Sequence, residues 1–189
     1  MNKLMIIAFL GAASLPLLAQ NPAIPTLQVC NVTNAAAVLS SGTPQLFIPS
    51  RAGGGFTGTV NFRVSAGCDT NGFPTGSVTL FGLSMSDSPA EGFIQSGQID
   101  QITFTGWDNP TAFVSGQCRA QVPSFFGTAN MVPCHFWILF AHDSGPNDST
   151  VGGGPDIVSF LVVDQTGKRL AYGTGPVGGG NILVFPTKN

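Results

Sequence analysis

The chain has little charge to work with. Lys, Arg, Asp and Glu make up only 8% of its 189 residues, against about 25% in an ordinary globular domain. Seven basic residues face nine acidic ones. That balance excludes a nucleic-acid partner, because such binding rests on clustered Lys and Arg that neutralise phosphates. There are two histidines, one tyrosine and, in Glu91, one glutamate, so the usual acid–base groups are scarce. No Cys-x-x-Cys occurs, and the one close Cys/His pair is Cys134-His135. Neighbours on a strand point to opposite faces and do not readily ligate one ion, which sets a zinc site aside.

Long apolar runs are also missing after the first residues. Asn2-Lys3, the apolar stretch Leu4 to Leu10, and the small residues up to Ala19 have the three parts of a secretion signal. Pro16 breaks a run already short of the about 20 residues that a membrane span needs. Cleavage is therefore expected after Ala19, giving residues 1–19 as signal peptide. The remaining 170 residues lose Lys3 and carry six basic and nine acidic side chains, a net charge of −3. No Cys follows Ala19, so the chain lacks a lipid-attachment signal. The expected product is secreted, extracellular or periplasmic, with no membrane span.

What is abundant is β-forming and turn-forming chemistry. Fifteen Phe, 25 Gly and 14 Pro are present, and apolar residues recur with period two rather than with a helical period. Phe56, Gly58, Val60, Phe62 and Val64 alternate with Thr57, Thr59, Asn61, Arg63 and Ser65, a strand with one buried face. Further strands are expected over 77–84, 99–106, 111–122, 131–142, 157–163, 169–172 and 181–185. Asn71-Gly72-Phe73-Pro74-Thr75-Gly76 and Asp164-Gln165-Thr166-Gly167 carry turn residues, with Gly where positive φ is wanted. The run 135–141 is apolar at nearly every position, as in a strand that is covered on both sides or central in its sheet. The glycine-rich pieces at 53–55, 152–154 and 178–180 precede no helical pattern, which excludes phosphate-binding loops.

These strands predict one all-β domain, an antiparallel β-sandwich with a closed β-barrel as the alternative. Residues 20–55 form an N-terminal extended segment and first strands, and residues 56–189 the body. An outer-membrane barrel is disfavoured by the lack of aromatic girdles.

Export places Cys30, Cys68, Cys118 and Cys134 where disulfides persist. If 111–122 and 131–142 form a hairpin centred near Phe126, Cys118 falls opposite Cys134. Val114 then meets Ile138, Gly116 meets Phe136 and Ala120 meets Val132, all apolar, with the smallest residue against the largest. The other face, Gln117 with His135 and Arg119 with Pro133, is more polar. Cys30–Cys68 follows by elimination.

Several segments carry a family resemblance. They are 74–78 (Pro-Thr-Gly-Ser-Val), 102–106 (Ile-Thr-Phe-Thr-Gly), Cys134 through Gly145, 156–160 (Asp-Ile-Val-Ser-Phe) and 178–182 (Gly-Gly-Gly-Asn-Ile). In this order, from about residue 56 to 189, the chain resembles the post-COAP domain of secreted bacterial proteins. Val78-Thr79-Leu80-Phe81 stand where that family often has an aromatic and an acidic residue. The resemblance implies an exported β-rich module and brings no catalytic residue with it.

The residues themselves give little support for catalysis. His142-Asp143-Ser144 are neighbours in an extended chain and do not face one another, and no Gly-x-Ser-x-Gly elbow appears. A glycosidase needs two carboxylates about 5–10 Å apart across a cleft, and Asp87, Asp108 and Asp164 sit in turn-like surroundings. A small hydrolase built on an unrecognised carboxylate pair is the third-ranked function. The first is a non-enzymatic structural or binding module at the cell surface or outside the cell. The second is a carbohydrate-binding module. Its partner would be a polysaccharide or other cell-surface component.

Two features would serve such binding. Trp107, in Gly106-Trp107-Asp108-Asn109-Pro110, lies at a turn where its ring can stack on a sugar or cap the core. Asp143, Asp148 and Asp156, with Asn147, lie along one glycine-rich connection, and strand pairing should bring Asp143 towards Asp156. They are a candidate weak Ca²⁺ site, the alternative being an ordinary solvated turn. No other cofactor is expected. Asn31 and Asn147 fit the glycosylation sequon.

Overall fold

A computed structural model describes residues 29–30, 36–49, 56–85, 88–106, 110–122, 130–142 and 156–185. Its strands are β1 (Val29–Cys30), β2 (Ala37–Ile48), β3 (Phe56–Cys68), β4 (Pro74–Met85), β5 (Ser88–Thr105), β6 (Thr111–Val122), β7 (Asn130–Ala141), β8 (Ile157–Asp164), β9 (Arg169–Pro176) and β10 (Gly178–Phe185). From β2 to β9 each strand pairs antiparallel with the next, and β10 returns to the outer edge of β2. The result is one continuous, nearly closed sheet. The all-β, antiparallel, two-disulfide fold expected from the sequence is present, as a single curled sheet.

The period-two pattern explains the curl. On β3 the buried residues are Phe56, Val60, Phe62, Val64, Ala66 and Cys68, and on β7 they are Cys134, Phe136, Ile138 and Phe140. All these side chains enter one shared core, where Phe62 meets Phe160 edge to face at 5.7 Å between centroids. Such an apolar interior is the inverse of an outer-membrane barrel, whose lumen is polar.

The sheet ends at β9 and β10, which do not pair with each other. Glycine draws β9 close to β2 here. A Cβ on Gly173 would stand 3.4 Å from Leu46 and Ile48, and one on Gly175 would stand 2.9 Å from Leu46. The β2 side chains fill the seam because β9 leaves it open.

The β6–β7 register matches the expected hairpin pair by pair, from Val114↔Ile138 through Cys118↔Cys134 to Ala120↔Val132. Disulfides join Cys118 to Cys134 and Cys30 to Cys68. Strand β5 runs past its neighbour: β4 pairs with it only as far as Gln95. The vacated edge takes β1 in parallel, Val29 beside Gln101 and Cys30 beside Ile102.

The two hairpin turns share one chemistry. Asp69 Oδ1 accepts from the amides of Asn71 and Phe73, and Asp164 Oδ1 accepts from those of Thr166 and Lys168. Gly72 and Gly167 follow at φ of 80° and 82°, a conformation that costs glycine nothing. The apolar run of β7 is central in the sheet but not covered on both sides. Its second set, His135, Trp137 and Leu139, faces solvent.

Candidate functional site

Two constellations stand out, one buried and one exposed. The buried one is built where β7 ends and β8 begins. The Nδ1–H of His142 donates to Asp156 Oδ1 at 2.7 Å, and the Ile182 amide donates to Asp156 Oδ2 at 2.8 Å. The Asp156 carbonyl accepts from Val177, and the His142 amide donates to Pro110. His142 is 3% exposed and Asp156 6%. One carboxylate thus links the start of β8 to β10, across the seam that strand pairing leaves unclosed.

A His–carboxylate pair is two-thirds of a hydrolytic triad, but a base must reach the proton it takes. At 3% exposure His142 is a structural clasp.

This geometry bears on the candidate calcium residues. Asp143 and Asp148 lie outside the described residues, as does Trp107. Asp156 lies within them, and each of its carboxylate oxygens holds a donor from the protein. Among the described residues no group of three or more His, Cys, Asp or Glu is placed to hold a metal. His135 lies on the exposed face of β7, the more polar face of the hairpin.

The exposed constellation lies on the outer face of β6 to β9. Register places buried Ser115 beside Trp137, Leu161 and Tyr172, one residue per strand. The next row holds Phe113, Leu139, Ser159 and Thr174. Trp137 is 37% exposed, and its ring stacks on that of His135, with centroids 6.2 Å apart and planes 28° from parallel. The Arg169 guanidinium lies over the Tyr172 ring, 5.4 Å from its centroid. Ser159 and Thr174 share a hydroxyl–hydroxyl bond of 2.8 Å. At the β9 edge an open hollow of about 400 Å³ is lined by Leu161, Arg169, Tyr172 and Thr174, with Phe160 and Gly173 at its floor.

This arrangement can hold a flat, partly apolar ligand. The aromatic faces supply contact area at small entropic cost, and hydroxyl, amide and guanidinium groups around them supply hydrogen bonds. Sequence reading missed Trp137, Tyr172 and Arg169 as a set. The signal was the polar partner row: Gln117 and Ser115 on β6 face the same side as His135 and Trp137. Apolarity on both faces of β7 therefore meant one face in the core and one in solvent.

The class defined by these features is a disulfide-bonded, nearly closed β-meander with an aromatic outer face. No family model, curated protein or solved structure matches the chain.

Proposed function

We propose that this chain is a secreted, non-enzymatic module that binds a polysaccharide at the cell surface or outside the cell, through the outer face of β7, β8 and β9. The observation that carries this reading is the pair of aromatic clusters on the outer face, exposed Trp137 on His135 and half-buried Tyr172 under Arg169. A solvated sheet face with only a structural role has no need of a tryptophan there. Export is supported by the signal-like residues 1–19 and by the two disulfides, which belong to an oxidising setting.

The test is a glycan and polysaccharide binding screen on the protein starting at Gln20, alongside Trp137→Ala. It is run with and without Ca²⁺, because Asp143 and Asp148 lie on the β7–β8 connection that ends at Asp156. The wild type should bind at least one polymer and the variant should lose it, because truncating an aromatic anchor at the centre of a binding face costs about 2 kcal/mol or more. A wild type that binds none would overturn the reading.

A further inference from the structure

Three observations bear on which polymer the outer face takes. The first is spacing. Trp137, Leu161 and Tyr172 occupy one row on three adjacent strands, so the backbone positions that carry the two rings are about 10 Å apart, two strand spacings. That is the reach of one disaccharide repeat, with the half-buried Leu161 as an apolar floor between the rings. A chain lying across the strands would set alternate sugars on Trp137 and Tyr172.

The second is charge. Arg119 and Arg169 project from the outer faces of β6 and β9, and Lys168 from the turn before β9, all exposed. They flank the aromatic rows, with His135 between. Among the described residues neither arginine forms an ion pair with a carboxylate.

The third is where the described carboxylates are. Asp156 and Asp100 are buried. Asp164 accepts from the Thr166 hydroxyl and the Lys168 amide and also attracts the Lys168 ammonium, which leaves Arg119 and Arg169 as the cations open to a ligand. Asp69 belongs to the β3–β4 turn, and Glu91 lies opposite Ser84 where β5 begins. Among the described residues the outer-face aromatics thus lie beside two arginines, Arg119 and Arg169, that form no ion pair. Two cations do not make a nucleic-acid groove, where affinity grows with the number of neutralised phosphates. They do suit an acidic chain that also offers flat sugar faces.

We infer that the ligand of this face is an acidic polysaccharide, a uronate-bearing chain that crosses β7, β8 and β9, stacks on Trp137 and Tyr172, and places a carboxylate at Arg169. This rests on the polysaccharide-binding reading above. Arg169 is the specificity residue, since its guanidinium, already above the Tyr172 ring, offers a fork of donors to a carboxylate.

The experiment is affinity electrophoresis of the disulfide-bonded protein against a polyuronate and against the same polymer with its carboxyl groups reduced to alcohols. Wild type, Arg169→Gln and Trp137→Ala are compared, with thermal melts to show that each is folded. The wild type should bind the polyuronate about tenfold or more tightly than the reduced polymer, a charged hydrogen bond's worth. Arg169→Gln should erase that preference, and Trp137→Ala should weaken both polymers. Equal binding of the two polymers by the wild type, unchanged in Arg169→Gln, overturns the acidic ligand while leaving sugar binding intact. Failure of the folded wild type to bind either polymer overturns the acidic ligand, and the polysaccharide reading falls with it if the wider screen also finds no polymer bound.

Discussion

Replacing Asp156 with alanine removes the carboxylate that bridges His142 and Ile182 across the seam. Two donors, the imidazole Nδ1–H and the Ile182 amide, then lose their acceptor in a region 3–6% exposed. Each buried donor left unsatisfied costs about 1–3 kcal/mol, and breaking a buried charge-bearing pair from one side costs about 3–5 kcal/mol. For a domain of this size each kcal/mol is worth about 2–4 °C, so the melting temperature should fall by about 6–20 °C. Thermal melts with both disulfides intact measure this. Asp156→Asn, which keeps an oxygen for one of the two donors, should fall between alanine and wild type. Amide exchange gives a second readout, since Ile182 should lose protection before the β6–β7 hairpin does. A melt of Asp156→Ala within about 2 °C of the wild type, far short of that shift, would show that the clasp contributes little and that the seam is held by Leu46 and Ile48 alone.

Further outcomes follow from other parts of the sheet. Removing Cys118–Cys134, separation 16, should cost about 3 kcal/mol and removing Cys30–Cys68, separation 38, about 4 kcal/mol, measured by urea denaturation of the paired Cys→Ser variants; equal stability of all three proteins would contradict the loop-entropy argument. Gly173→Val puts two methyl groups where Leu46 and Ile48 already pack, so it should destabilise by about 1–3 kcal/mol, whereas the same change at exposed Gly178, whose Cβ meets nothing, should cost less. The Asp164 carboxyl is held below its ordinary 3.8, chiefly by the Thr166 hydroxyl and then by the Lys168 and Thr166 amides, against a desolvation that raises it. Its unfolded form therefore binds a proton more readily, and its stabilisation is complete above the ordinary value and lost as pH falls through the folded one. Stability of Asp164→Asn should decline less steeply than wild type below about pH 4, and superimposable acid limbs would refute this.

Legibility in the sequence followed the range of the interactions. The β6–β7 register could be read because Cys118 and Cys134, and Gly116 and Phe136, are close in sequence and match only one pairing. The Asp164 turn could be read because its hydrogen bonds lie within five residues. The full length of β5 could not, since Gly92 and Gly97 interrupt its alternation and its pairing shifts at two bulges with β6. The clasp was hidden for a different reason. His142, Asp156 and Ile182 are distant in the chain, and the imidazole and amide that the Asp156 carboxylate accepts from lie on different strands. Trp137 was concealed by composition, because a strand apolar on both faces reads alike whether its second face is covered or bare.

The return of β10 to β2 has a consequence for how the chain behaves before it is finished. Every pairing from β2 to β9 joins strands consecutive in sequence, so these ladders can form as successive hairpins. Apart from the short β1–β5 pairing, β10 alone must travel back, from residue 178 to an edge laid down at residue 37. Until it does, β2 presents a bare row of amides and carbonyls, with Phe47 exposed beside them, to any neighbouring copy in the same state. The last strand to arrive thus covers the site on which a second unfinished chain would otherwise add itself, and the free edge of the sheet passes to β10 itself, where Asp156 takes up the Ile182 amide.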